Sequence, residues 1–233
     1  MTLQCFPFLY VLILAVALTK SEELSSTSTS TSTPIPPCSA PTGIIAAVHE
    51  CMCSTIVSKK DSHGVTIRSY GLPSNEVLVT DMTPSNFPYD QVLEISISNI
   101  LIYLEAANSA NRNFLANRTV PFTIRPPISN SEGWLFSMML STVAFPNPFE
   151  VPTPNNFEMH LEPVTERLFA TFAFNTTSLP TEENFTTACY TLLKSIPTKF
   201  AIFNDGWNPT YVIYSPRNAT TFTNECWLQV KAA

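Results

Sequence analysis

The chain of 233 residues contains five glycines, too few for a glycine-rich loop whose backbone N–H groups cradle phosphates. It has no G-x-S-x-G elbow and no C-x-x-C, so the local signatures of hydrolase and dithiol chemistry are missing. Charge is also scarce, at 13% of residues against about 25% in an average domain. What charge there is sums to −6, with a pI near 5.0, the wrong sign for a nucleic-acid partner. Beyond the N-terminus no stretch is apolar and long enough to span a bilayer, and "ECWLQVKAA" lacks the hydrophobic tail of a lipid-anchor signal.

Against these absences stands a segmented N-terminus. "MTLQCFPFLYVLILAVALTKSEE" has an apolar run from Cys5 to Leu18 that is short for a membrane span and is followed by small and polar residues. It reads as a secretory signal peptide over 1–21. Residues 22–37 include "SSTSTSTSTPIPP", which offers nothing to build a core and reads as a disordered, Ser/Thr/Pro-rich stalk. Residues 38–233 then form one globular domain. Four N-x-S/T sequons, at Asn117, Asn175, Asn184 and Asn218, agree with a secreted, extracellular glycoprotein. A glycan can sit only on a side chain that points to solvent, so each sequon also marks an outer surface.

Two segments have helical periodicity. In "PYDQVLEISISNILIYLEAAN" the apolar positions Leu93, Ile97, Ile100, Leu101 and Leu104 recur at helical spacing behind a proline suited to a first turn. "LEISIS" alternates as a strand would, but Asn99 breaks the alternation and the longer helical match prevails. In "TEENFTTACYTLLKSIP" Phe185, Cys189, Leu192, Leu193 and Ile196 repeat the same spacing, with Thr181 as cap and Pro197 as stop. Nine β-rich runs surround them: "GVTIRSYG", "NEVLVTD", "RTVPFTI", "WLFSMMLSTV", "FEMHLEPV", "RLFATFAFN", "KFAIFND", "TYVIYS" and "ECWLQV". Strands, helix, strands, helix, strands is the order of an α+β domain with helices on a largely antiparallel sheet, in two related halves.

Several motifs, in this order, resemble those of the SOUL or haem-binding protein family. "VTIRSYG" (65–71) is similar to the family's "YEIRRYGP", and "IYLEAANSANRNFLANRTVPF" (102–122) to its helix end and "MTxPV". "FPNPFEVPTPNN" (145–156) stands at its proline-rich loop, "NDGWNPTY" at "TAGYNSP", and "NECWL" (224–228) at "NEVWL". The resemblance spans nearly all of 54–230. It implies a distorted antiparallel β-barrel of about eight strands with two amphipathic helices in pseudo-twofold arrangement. It also implies non-catalytic binding of haem or another tetrapyrrole, a small hydrophobic ligand, in an apolar groove beside the first helix. The histidine proposed as an iron ligand in some members is Ser69 here, which excludes axial ligation by that route. The alternative is a secreted interaction or structural module that keeps the fold and has lost tetrapyrrole binding.

The groove candidates are Ile97, Leu101 and Leu104, with Tyr103 at a polar edge; such a stripe is more often plain core. Arg118 replaces the family's methionine, and alternation from Asn117 turns it toward the barrel or groove, where a guanidinium would hold a propionate. The bland reading is a rim side chain reaching water. "HECMCSTIVSKKDSH" (49–63) holds two His and two Cys, but with C-x-C spacing it is no zinc motif and no H-E-x-x-H. Cys5 leaves with the signal peptide, and Cys189, on the second helix's apolar stripe, reads as a buried free thiol. Cys38, Cys51, Cys53 and Cys226 remain. A Cys51–Cys53 bridge would strain its short loop, so Cys38 is expected to pair with one of them and Cys226 with the other. No enzyme is expected. His160 has no nucleophile beside it in sequence, and Asp90 with Glu94 fits the acidic first turn of a helix. In the last hairpin Asp205-Gly206 is the expected turn, Pro209 stiffens the rim and Trp227 packs.

Overall fold

The computed structural model describes residues 54–59, 64–70, 76–114, 121–129, 132–140, 145–203, 207–214 and 221–233, all within one compact unit, Pro37–Ala233. The signal peptide, the stalk, Cys38, Cys51, Cys53, His49, His63, Asn117, Arg118, Asn218 and the Asp205-Gly206 turn lie outside the described residues.

The elements in order are β1 (Ser54–Lys59), β2 (Val65–Tyr70), β3 (Val77–Thr83), α1 (Tyr89–Glu105), β4 (Phe122–Arg125), β5 (Trp134–Met139), a 3-10 turn (Pro148–Glu150) and β6 (Met159–Pro163). Then follow β7 (Arg167–Thr176), α2 (Glu182–Ser195), β8 (Phe200–Ile202), β9 (Pro209–Tyr214) and β10 (Phe222–Ala232). The α+β class, both helices and all nine strand-like runs are as the sequence implies. The addition is β1, inside the Cys/His-rich segment, where "STIVSK" pairs with β2.

All strands join one antiparallel sheet of ten strands in the order β1-β2-β7-β10-β9-β4-β5-β3-β6, with β8 added on β10. No described pairing joins β1 to β6, so the path is open at its ends. The order contains a repeat. In β3-α1-β4-β5 the third strand lies between the other two, as it does in β7-α2-β9-β10, and the halves meet at β4 and β9. The strand before each half, β2 or β6, crosses to pair with the other half's first strand, β7 or β3. The expected pseudo-twofold is therefore written in the pairing itself.

Local chemistry explains both helices. α1 follows Pro88, whose extended backbone forms the N-cap and whose carbonyl accepts from Gln91 and Val92. α2 has a full capping box: Asn184 N donates to Thr181 Oγ1 at 3.3 Å, and Thr181 N to Asn184 Oδ1 at 3.0 Å. Strand alternation divides the sheet into two faces. One carries Val65, Ile67, Val79, Ile124, Phe136, Met138, Tyr211 and Leu228, and both helices pack on it to make the main core. The other carries a smaller cluster of Tyr70, Met139, Val212, Tyr214 and Trp227, along with buried polar residues.

The cysteine assignment is corrected. Cys226 is in a disulfide, but its partner is Cys189, so Cys189 is not a free thiol. The apolar stripe of α2 rests on β10, and that packing brings the two Cα atoms to 5.3 Å, within bridging distance.

Candidate functional site

The expected groove lies at the C-terminal end of α1. Leu104 and Tyr103 are fully buried there, and Ile97 and Leu101 are half-buried. The cover is the chain's own proline-rich segment. Tyr103 Oη donates to the Pro152 carbonyl at 2.8 Å, Ser109 N to Thr153 O at 2.8 Å and Asn155 N to Ala107 O at 3.1 Å. Asn108 is buried and locks the turn beyond α1, with Nδ2 donating to Tyr103 O and Arg112 O, both at 2.8 Å. Phe114 N donates to Leu104 O at 2.6 Å, and its ring meets Phe145 edge-on at 4.9 Å. Burial raises the Tyr103 pKa to about 12, so its hydroxyl is a neutral donor committed to Pro152 and not a free polar edge. Ser69 sits on β2 opposite Thr55 and Leu168.

The other face of the sheet holds an ionic network that the sequence did not advertise. Glu225 on β10 is wholly buried and Arg68 on β2 nearly so. Arg68 Nη1 donates to Glu225 Oε2 at 3.1 Å and to Tyr70 Oη at 3.2 Å, while Nη2 stands 3.1 Å from Oε1 as an ion-pair contact. Trp227 Nε1 donates to the same Oε2 at 2.7 Å and Tyr214 Oη at 3.0 Å. Burial alone would lower the Arg68 pKa, but Tyr70, Glu225 and Tyr214 outweigh it and the net direction is up. Burial, then the Glu225 charge, pushes Tyr70 and Tyr214 up, keeping both hydroxyls protonated. Three donors converge on Oε2, while Oε1 meets only the Arg68 ion-pair contact and Arg68 Nε–H has no hydrogen-bond partner among the described residues; the arrangement describes a structural lock better than a reactive acid.

Beside this lock the same face opens as a cleft of about 80 Å³. Its aromatic wall is Tyr70 stacked on Trp227 at 4.4 Å, with Phe169 at 5.8 Å from Tyr70 and 5.4 Å from Trp227. Thr123, Ser137 and Thr210 add hydroxyls, and Arg125, Glu162 and Arg167 add charge. Trp227 thus packs, as expected, and also lines the cleft. The volume is well below the ~300–1,000 Å³ of drug-sized sites.

Among the sequon residues, Asn175 and Asn184 are exposed, the orientation a glycan requires. His160 is exposed and bonds Glu162 at 2.8 Å; Asp90 and Glu94 are exposed on α1. No group of three or more His, Cys, Asp or Glu among the described residues is placed to hold a metal. No described helix is long and apolar enough to cross a membrane.

No family model matches the chain, and comparison with curated proteins finds no match. Among solved structures, a crystal structure of the EcmrR C-terminal domain is similar at 10% identity and a TM-score of 0.47, covering 74% of this chain and 99% of that one. A cryo-EM structure of an EcmrR–DNA complex is similar at 9% identity and a TM-score of 0.47, covering 72% of this chain and 57% of that one. Likeness at that level assigns this chain no activity.

Proposed function

We propose that the protein is a secreted, glycosylated, non-catalytic binding module of SOUL-like architecture that has given up tetrapyrrole and acts through contacts with other molecules. The observation that carries this reading is the closure of the α1 end, where the resemblance puts the groove: Tyr103 is bonded to segment 145–155 and Leu104 beside it is fully buried. The Cys189–Cys226 disulfide supports an oxidising compartment. Exposed aromatics support a contact surface. Tyr190 on α2 and Trp207 stack at 5.0 Å, both partly exposed, and Phe149 on the proline-rich segment and Phe157 just after it are each 94% exposed. Tyr and Trp are the side chains that most often dominate protein–protein binding energy.

A second reading, tetrapyrrole binding, draws support from the α1 flank, where Ile97 and Leu101 are half-buried and Ile102 is 51% exposed. Titrating the mature protein with haemin and with iron-free protoporphyrin separates the two. The module reading expects no saturable Soret shift at micromolar ligand. A saturable shift that disappears in Leu101→Glu would establish the tetrapyrrole reading instead.

A further inference from the structure

The cleft on the helix-free face has an electrostatic imbalance that its own residues do not resolve. Arg125, at the end of β4, and Arg167, at the start of β7, both line it. Glu162 is the carboxylate that lines it with them, and its short contact goes elsewhere: Oε1 stands 2.8 Å from His160 Nε2, whereas Oε2 is 3.6 Å from Arg125 Nη2. Arg167 has no carboxylate partner among the described residues, and its Nε donates to Thr165 Oγ1 at 3.0 Å. Burial, only partly opposed by Glu162, lowers the Arg125 pKa, and the neighbouring Arg167 charge lowers it further. Two guanidiniums, half-buried Arg125 and exposed Arg167, therefore line one cleft in a chain whose net charge is −6. A bound anion would relieve that repulsion, and a guanidinium's paired N–H groups match a carboxylate's two oxygens.

The wall selects among anions. Phe169, half-buried, presents apolar ring surface beside the almost wholly buried Tyr70 and Trp227, and inorganic phosphate has no group to occupy it. The cleft, at about 80 Å³, is smaller than the roughly 150 Å³ cavity that accepts benzene, so the apolar part must be short. We propose that this cleft binds a short-chain organic carboxylate, its oxygens on Arg125 and Arg167 and its hydrocarbon end against Phe169, beside the buried Tyr70–Trp227 stack. The site lies on the face opposite the helices, so its success or failure is independent of what happens at α1.

The test uses propionate as probe, with 1-propanol and inorganic phosphate as comparisons, followed through the Nε–H NMR signals of Arg125 and Arg167 in the mature protein. Propionate is expected to saturate in the millimolar range while propanol does not, and phosphate binds more weakly. In Arg125→Gln/Arg167→Gln the affinity falls by about tenfold or more, read from propionate relaxation. Glu162→Gln removes the competing carboxylate and tightens propionate by about threefold. No saturation by 100-fold excess over the ~1 mM scale, equal binding of phosphate, or affinity unchanged in the double arginine variant would overturn the proposal. Should the double variant fail to fold, Glu162→Gln decides alone: tighter binding supports the site, and unchanged or weaker binding refutes it.

Discussion

Glu225 joins three strands through one buried carboxylate. Its carboxylate takes hydrogen bonds from Arg68, Tyr214 and Trp227, tying β2, β9 and β10 together. Burying a charge is tolerable only while its partners stay in place. Glu225→Gln keeps the shape but leaves the Arg68 guanidinium buried without a counter-charge, and is expected to cost about 3–5 kcal/mol in chemical denaturation. Tyr103 predicts a pH effect. Its folded pKa is about 12 against an ordinary 10.0, so below pH 10 its contribution to stability is intact. Above that the unfolded chain releases the phenolic proton while the folded chain holds it. Stability therefore falls by roughly 2–3 kcal/mol from this group as pH rises toward 12, and denaturation of wild type against Tyr103→Phe isolates that part. Neither residue's role was legible beforehand. "VTIRSYG" and "NECWL" were visible as motifs, but Arg68 and Glu225 are 157 positions apart, and only the folding of β2, β7 and β10 into one sheet brings them within reach.

Periodicity and capping are local, and at the scale of elements they sufficed. The spacing of Phe185, Cys189 and Leu192, with Thr181 ahead and Pro197 behind, marked α2 to within a residue of Glu182–Ser195. β1 is not legible in the sequence, because a six-residue strand with a register shift gives a weak alternation. The disulfide was misassigned for a related reason. An apolar helix stripe hides a bonded cysteine as well as a free one, and pairing depends on which strand the stripe meets. The bridge closes 37 residues, which in the chain-entropy picture contributes about 3–4 kcal/mol. Cys189→Ala/Cys226→Ala is expected to lower the melting temperature by about 6–15 °C, measured by calorimetry, with α2 detaching from β10 first.

The described part of the Pro37–Ala233 unit holds two interlocked β-α-β-β units. Each lends a strand to the other's edge, so neither half can bury its own sheet alone and the domain is expected to unfold as one. This duplication was readable from the order of strands and helices; the exchange of β2 and β6 was not, since pairing partners are set by long-range packing. The same limit governs the function. The sequence placed Ile97, Leu101 and Leu104 on one helix face with Tyr103 at its edge, but not the return of segment 145–155 across its end, because that closure rests on backbone bonds such as Asn155 N to Ala107 O and Ser109 N to Thr153 O. Whether that closure persists against a tetrapyrrole is the central question. It is answered most directly by amide hydrogen exchange at Ser109, Phe114 and Asn155 during the haemin titration. The account predicts slow exchange in the free protein, unchanged by haemin. Rapid exchange in the free protein that slows as haemin saturates would contradict it, by showing an open groove that the ligand itself closes.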